Sequence, residues 1–342
     1  MSVSAEHPLA DERRGGTPPD AVEPEVPART TPRRRGAAMV ALRVGGTIAL
    51  MALAVRGVEW DRLRDAFGGV DWRWWLAGLA ILVAVQFVAA LRWAVLARPV
   101  GFDLPLSVFV RRYFEGLFFN LVLPTSIGGD VVKAYRLSDT SGGRVLAACT
   151  VLADRVAGLV ALAVIALTAW IARRHSLSLL PALLIGAGLA GGVFAVATVA
   201  VGNLGRLVRV LPPVSALEAA VARLLPYQQR PGLVTSAIGW GLIVQIGGVL
   251  SVACVGRALG VEVGLSTWFV VVPLVNLTMV LPISIGGVGV REGMMSLLLA
   301  PFGVPRETAV AVGLLTLLTA VVCGLLGGIV FLADERHAHP RT

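Results

Sequence analysis

The sequence LPTSIGGDVVK at residues 123–133 occurs a second time, as LPISIGGVGVR at residues 281–291. Both copies share the pattern Pro-x-Ser-Ile-Gly-Gly, and both end on a cation, Lys133 in the first and Arg291 in the second. A match of this length and order is not expected by chance. The chain therefore contains an internal duplication, and its fold is expected to be built around these two elements.

The duplication extends upstream of the shared motif. GFDLPLSVFV at residues 101–110 aligns with GVEVGLSTWF at residues 260–269 after a shift of one residue. We place the two repeats at about residues 86–140 and 245–300.

Each copy has a proline and a glycine pair in an otherwise apolar segment. These residues interrupt helices, so we expect a helix to break in each repeat. A broken helix at membrane depth is tolerated only where the freed backbone groups are buried in protein or line a wet cavity. Paired breaks in two repeats indicate the substrate site of a transporter-like membrane protein.

The composition predicts an all-α integral membrane protein. The chain is 56% hydrophobic and 15% charged, with a mean hydropathy of +0.79. Several apolar runs exceed the roughly 20 residues that span a hydrocarbon core. The formal charge is +9, but residues 1–36 hold six acids and six arginines, so the excess of cations belongs to the membrane domain. There the cations indicate topology and contacts to lipid phosphates, and we expect no nucleic acid partner.

Cysteine and histidine usage gives no sign of a disulfide framework or a metal site. Cys149, Cys254 and Cys323 lie in separate apolar runs without paired spacing. The four histidines lie in the tails or in a short loop. We therefore expect neither a metal nor a cofactor.

The chain divides into a tail, a membrane domain and a second tail. Residues 1–36 are rich in Pro, Arg and acids and are predicted to be disordered. Residues 37–332 form the predicted membrane domain, and residues 333–342 form a short tail. Arginines directly before the first span place the N-terminus in the cytoplasm. We expect a multi-pass protein of the cell membrane with both termini inside.

Two topologies are compatible with the repeats. If both repeat segments cross fully, there are eight spans, the repeats run parallel, and the basic connection at residues 203–232 lies outside, against the charge rule. If both are re-entrant hairpins, there are six full spans, that connection lies inside, and the repeats enter from opposite faces. The charge rule and the inverted-repeat plan favour the second topology, although it places Arg173 and Arg174 outside. The six full spans are then residues 37–55, 72–97, 145–170, 179–202, 233–254 and 308–332.

Residues 57–71 carry Trp60, Leu63 and Phe67 at helical spacing among charged residues. This pattern predicts a short interfacial helix on the outer face. The tryptophans that follow, from Trp72, predict an aromatic belt at the start of the next span.

Several ionisable residues lie within apolar segments, where they need partners. Asp154 and Arg155 are adjacent in a long span, and adjacent helical positions point in different directions, so each needs its own partner. Arg92 lies near the end of its span and is expected to extend to the interface. Lys133 and Arg136 share a helical face beside a Gly-Gly turn whose amides are expected to hold a phosphate, with membrane anchoring as the alternative.

The chain resembles the lysylphosphatidylglycerol synthase transmembrane, or flippase-like, family over about residues 37–332. The resemblance rests on Asn-x-x-Leu-Pro-x-Ser-x-Gly-Gly-Asp-x-x-Lys at residues 120–133, on the Asp154-Arg155 pair, and on Leu-Pro-x-Ser-x-Gly-Gly-x-Gly-x-Arg-Glu at residues 281–292. It implies a domain that moves lipids between leaflets, in the best-known members aminoacylated phosphatidylglycerol. Those members also carry a soluble transferase domain. This chain ends ten residues after its last predicted span, so we expect no synthase activity. Asp154 stands where the family pattern leads us to expect Glu.

The breaks and the charged residues near them form the predicted substrate site. They are expected to contact the lipid headgroup or to line the translocation path. The residues are Asn120, Pro124, Ser126, Gly128, Gly129, Asp130, Lys133, Arg136, Asp154, Arg155, Asn276, Pro282, Ser284, Gly286, Gly287, Arg291 and Glu292.

The sequence predicts translocation of a lipid with a phosphate-bearing headgroup, such as an aminoacylated phospholipid, a glycolipid or a polyprenyl-phosphate-linked lipid. One alternative is an accessory subunit for a lipid-modifying or cell-envelope-modifying enzyme, which would then be its partner. A membrane-embedded lipid-modifying enzyme is the second alternative. That class needs several acids or a histidine at one interface, and no histidine lies in an apolar run. We therefore expect a protein that is not an enzyme.

The topology makes a prediction for the connection at residues 203–232. In a variant without the three native cysteines, Ser215→Cys is expected to react with a membrane-impermeant maleimide only after the cells are opened. Labelling of Cys at this position in intact cells would exclude the re-entrant topology.

Overall fold

The computed structural model describes residues 32–123, 128–138, 143–172, 227, 229–279 and 284–338. In these residues the structure is helical and contains no strand, as the composition predicts. The described residues form ten α-helices. They are α1 (Pro32–Val55), α2 (Trp60–Gly68), α3 (Trp72–Ala97), α4 (Leu106–Val122), α5 (Gly128–Ser138), α6 (Arg144–Ala172), α7 (Pro231–Ala258), α8 (Leu265–Met279), α9 (Val290–Leu299) and α10 (Arg306–Ala338).

Four of the described helices are long and apolar enough to cross a membrane. A crossing of about 30 Å needs roughly 20 residues at 1.5 Å per residue, and these segments have 26 to 29 residues with a mean hydropathy of 2.0 to 2.5. The part of α1 whose side chains are described, Val44–Val55, is a shorter apolar stretch. The predicted span at residues 179–202 lies outside the described residues. The four segments are Trp72–Val100, Arg144–Ala169, Pro231–Ala258 and Arg306–Asp334.

The first and last described helices extend beyond the predicted ends of the membrane domain. Helix α1 begins at Pro32, inside the predicted tail, and ends at Val55 as expected. Helix α10 continues to Ala338, beyond the predicted end of the last span at residue 332. A short helix, α2, is present where the interfacial helix is predicted, with Leu63 buried and Trp60 67% exposed.

Helices α3 and α7 occupy equivalent places in the two repeats and pack antiparallel. Gly78 of α3 lies against Ser251, whose hydroxyl donates to the Gly78 carbonyl at 2.7 Å. Further along, Gly247 of α7 lies against Val85. Small residues at these contacts let the two backbones approach closely.

Each repeat segment is a pair of short helices separated by a break. In the first repeat, residue 120 contacts residue 129, residue 116 contacts residue 133, and residue 115 contacts residue 136. As the residue number decreases along α4, that of the contacting residue in α5 increases, so α5 folds back antiparallel along α4. In the second repeat, α8 contacts α9, and Met279 lies against Gly287.

The apolar core has one part for each repeat. Buried residues from Val249 to Val275 pack with the start of α10 in the second repeat. Trp93, Phe102 and Phe109 pack with the start of α6 in the first. A smaller cluster, in which Leu162 is packed among α8 residues, joins the two parts.

Helix α10 packs antiparallel against α4 through three glycines. Gly324 lies against Leu121, Gly327 against the carbonyl of Phe114, and Gly328 against Phe118. At the far end Asp334 pairs with Arg111 and with Arg112. This contact fixes the first repeat segment to the last helix.

The α4–α10 contact predicts that a larger side chain at Gly327 destabilises the protein more than the same side chain at a glycine with open space around it. Gly327→Leu is expected to lower the free energy of unfolding by about 1–3 kcal/mol because the new side chain would overlap the backbone of α4. Gly248→Leu is the matched control, since Gly248 is also helical and has open space where the side chain would go. Thermal unfolding in detergent compares the two variants. Equal loss in both would show that the effect comes from helix propensity or hydrophobicity and not from this contact.

Candidate functional site

The first break holds its backbone through a side chain of the preceding helix. The Gly129 N–H donates to Asn120 Oδ1 at 2.9 Å. A side chain at Gly129 would overlap the Gly116 carbonyl, so the glycine is required by the close approach of α5 to α4. The amide of Gly129 is therefore occupied within the protein, contrary to the expectation that it is free to hold a phosphate. Pro124 and Ser126 lie outside the described residues.

An ion cluster lies directly after this break, where the first turns of α5 meet α6. The Asp130 carboxylate pairs with Lys133 Nζ at 3.1 Å and with Arg155 Nε at 2.6 Å. The side chains of Asp130 and Lys133 are 9% and 6% exposed, whereas that of Arg155 is 53% exposed. We call Asp130, Lys133 and Arg155 the first-break cluster. With two cations and one carboxylate, it has an excess positive charge.

The Lys133 ammonium is enclosed by aromatic rings. Its Nζ lies 4.5 Å from the centroid of the Tyr113 ring and 5.4 Å from that of Trp93. Both distances are within the range of cation–π attraction. Lys133 therefore has partners on several sides within the protein.

A second buried ion pair lies beside the cluster. Arg92 Nε donates to Asp154 Oδ1 at 2.7 Å, and the two side chains are 6% and 3% exposed. The prediction that Arg92 extends to the interface is wrong, because its guanidinium instead neutralises the acid of α6. The prediction that Asp154 and Arg155 need separate partners is confirmed, since they pair with Arg92 and Asp130 respectively.

Arg136 belongs to a third group of charges, one turn beyond Lys133 in α5. Its Nε lies 3.8 Å from a carboxylate oxygen of Glu115, which also pairs with Arg112 at 3.0 Å. Glu115 is fully buried and was not among the predicted site residues. The signal for it was an acid within an apolar helix, which needs a partner.

The second break uses backbone conformation and a different set of hydrogen bonds. Gly286, Gly287 and Gly289 all have positive φ, between 61° and 83°. The Gly289 N–H donates to Glu292 Oε2 at 2.6 Å, which caps α9. Buried Ser284 also lies in this turn, and Pro282 lies outside the described residues.

Arg291 and Glu292 at the second break are buried and use local partners. Arg291 Nη2 donates to the Gly286 carbonyl at 3.2 Å. Arg291 Nη1 and Glu292 Oε1 are buried and have no hydrogen-bond partner among the residues that the structure describes. The bonds of Lys133 and those of Arg291 involve different residues, so the two repeat cations belong to separate clusters. Asn276 is half-buried in α8.

These clusters contain carboxylates paired with arginine or lysine, which is poor chemistry for a metal. Among the described residues, no group of three His, Cys, Asp or Glu side chains is placed to hold a metal ion. The arrangement instead suits contact with a charged group at membrane depth.

Broken helices, long apolar spans and buried ion clusters together define a helical, multi-pass membrane protein. A comparison with family models matches residues 39–328 to the family described as the lysylphosphatidylglycerol synthase TM region. The chain belongs to this family, and the match covers nearly the whole chain. Comparisons with curated proteins and with solved structures give no significant match.

The buried Arg92–Asp154 pair predicts a strong effect of removing one partner. Arg92→Ala is expected to lower the free energy of unfolding by about 3–5 kcal/mol because Asp154 would remain buried and unpaired. The double variant Arg92→Met with Asp154→Leu is expected to recover most of that loss. Chemical or thermal unfolding in detergent measures both.

An exposed ion pair provides the control for this prediction. Arg62 and Glu59 pair at 2.9 Å with both side chains more than 60% exposed. Arg62→Ala is therefore expected to change stability by less than about 0.5 kcal/mol. A loss in Arg92→Ala no larger than in Arg62→Ala would contradict the assignment of a buried, interdependent pair.

Proposed function

We propose that this protein translocates a lipid with a phosphate-bearing headgroup between the two leaflets of the cell membrane. The observation that carries the proposal is the first-break cluster, which places an excess positive charge beside a helix break in an apolar domain. Charges at such a position are unfavourable in lipid and are associated with substrate paths. Membership of the lysylphosphatidylglycerol synthase TM-region family supports a lipid-related role.

The proposed topology is a pair of re-entrant hairpins in inverted orientation. Their helices α4, α5, α8 and α9 have 17, 11, 15 and 10 residues, each fewer than the roughly 20 needed for a crossing. The fold-back of α5 along α4 supports return to the same face. Because α3 and α7 are antiparallel, hairpins that follow them begin at opposite ends of the domain.

Hairpins that enter from opposite faces of the membrane suit a translocation path that a lipid enters from one leaflet and then leaves into the other. In transporters with inverted repeats, the substrate site lies near the membrane midplane between broken helices. A headgroup that leaves the interface loses hydration, and fixed cations compensate for part of that loss. We propose that the protein moves the lipid without changing its covalent structure, and that a lipid-modifying enzyme is a partner.

The proposal predicts a loss of transport when the cluster loses its excess charge. Lys133→Gln leaves one cation and one carboxylate in the first-break cluster. In this variant Asp130 is neutralised by Arg155 alone, which weakens the attraction of Arg155 for the lipid phosphate. Because a charge-assisted hydrogen bond contributes about 1.5–3 kcal/mol, transport is expected to slow by roughly ten- to a hundredfold. Purified protein in liposomes with fluorescent phospholipids, whose outer-leaflet label is bleached chemically, measures the rate.

Two controls make this experiment specific. Arg73→Gln removes one cation at an exposed position at the start of α3 and is expected to leave the rate unchanged. Lipid extracts analysed after the assay are expected to contain no new product. Wild-type rates equal to those of empty liposomes, or a chemically altered lipid, would count against translocation as the function.

A further inference from the structure

One face of α6 and one face of α5 are exposed beside each other. On α6, Val145, Ala148 and Leu152 are exposed at helical spacing, and Arg155 continues the same stripe. On α5, Val131 and Tyr135 are exposed, four residues apart on one face. We call these two stripes the α5–α6 face.

Two contacts show that the stripes run side by side in opposite directions. Asp130 of α5 pairs with Arg155 of α6, and the Arg144 guanidinium lies 5.6 Å from the centre of the Tyr135 ring. The α5–α6 face therefore has Arg144 at one end and Arg155 at the other. Exposed apolar side chains lie between these two cations, including Leu152 at 64% and Val131 at 62% exposure.

Arg155 lies deep along its helix. It follows Arg144 by eleven residues, which corresponds to about 16 Å along α6 at 1.5 Å per residue. Since a hydrocarbon core is about 30 Å thick, Arg155 is near its middle if Arg144 marks the surface. A guanidinium that is 53% exposed at that depth is unfavourable in lipid unless it has an anionic or aqueous partner.

The geometry of Arg155 suits a phosphate ligand better than that of Lys133 does. Its bond to Asp130 uses Nε, and within the described part of the chain no bond is made by the two terminal amino groups, so that this side of the planar fork is available to another acceptor. Arginine forks bind phosphate in a bidentate manner. Lys133 is instead 5% exposed and enclosed by Asp130 and Tyr113.

We propose that a membrane phospholipid docks laterally on the α5–α6 face, with its phosphate on Arg155 and its acyl chains against Leu152 and Val131. This assignment rests on the proposed translocation function and names the residue that meets the substrate. Arg155 is the phosphate-binding residue, and Lys133 neutralises Asp130 within the protein. Lipid reaches the site from the bilayer between α5 and α6, and Arg144 marks the membrane-surface end of its path.

Equilibrium lipid binding tests this assignment independently of transport. Full-length protein in detergent is titrated with phosphatidylglycerol, with diacylglycerol of the same acyl chains, and with inorganic phosphate, and binding is followed by native mass spectrometry. Wild type is expected to bind phosphatidylglycerol at least tenfold more tightly than diacylglycerol. Arg155→Gln is expected to lose that preference, because one charge-assisted contact accounts for a factor of ten or more.

Further variants distinguish the effect of losing the Arg155 charge from an effect of altered folding. Arg155→Lys keeps the charge and is expected to retain part of the preference, whereas Arg73→Gln is expected to bind as wild type does. Leu152→Asp places a negative charge one turn from Arg155 and is expected to weaken phosphatidylglycerol binding through repulsion. Because Arg155 and Leu152 are exposed, these variants are expected to fold, and unfolding temperatures check this.

The possible outcomes distinguish a failure of the proposed site from a failure of the proposed function. An unchanged preference in Arg155→Gln would overturn the site, even if liposome transport is observed. Saturation by inorganic phosphate at the same affinity as the lipid would also overturn it, because the proposed occupant is a phospholipid. Loss of the preference in Arg155→Gln supports the site, including in the case where wild-type protein shows no transport.

Discussion

The backbone groups released at the two helix breaks set the main physical constraint on this structure. Inside a membrane, an unpaired N–H or C=O is costly because no water replaces the lost hydrogen bond. Asn120 accepts from Gly129 at the first break, and at the second Thr47 accepts from the Ile285 N–H at 2.8 Å. The bonds that the breaks require thus hold α5 to α4 within the first hairpin and hold the second hairpin to α1.

The same motif forms two different structures because a few residues differ between the copies. Asp130 in the first copy corresponds to Val288 in the second, and Val131 corresponds to Gly289. In the first copy, helix α5 begins at the glycine pair and directs Asp130 toward α6. In the second, positive-φ glycines extend the turn until α9 starts at Val290. The duplication therefore preserves the break, while the pairing of an acid at the break with Lys133 and Arg155 occurs only in the first copy.

The sequence predicted the breaks, the long apolar helices and the need of Asp154 and Arg155 for separate partners, because these follow from local composition and helical geometry. It did not predict the pairing of Arg92, whose partner is 62 residues away, or the burial of Glu115. Distance from the end of a span indicates where a side chain is able to reach. It does not indicate which acid on another helix will lie beside it, since that depends on packing of the whole domain.

The charge balance of each cluster separates framework from site. Arg92 and Asp154 form a pair of equal and opposite charge and are almost fully buried. Their attraction therefore holds α3 to α6. Asp130 is shared by two cations, and the one that is half-exposed, Arg155, retains capacity for another anion. A buried, balanced pair is not accessible to a ligand, whereas an unbalanced and accessible cation is stabilised further when it binds an anion. In the proposed function, the first-break cluster binds the lipid phosphate because its charge is unbalanced, and the neighbouring Arg92–Asp154 pair holds α6 in place beside it.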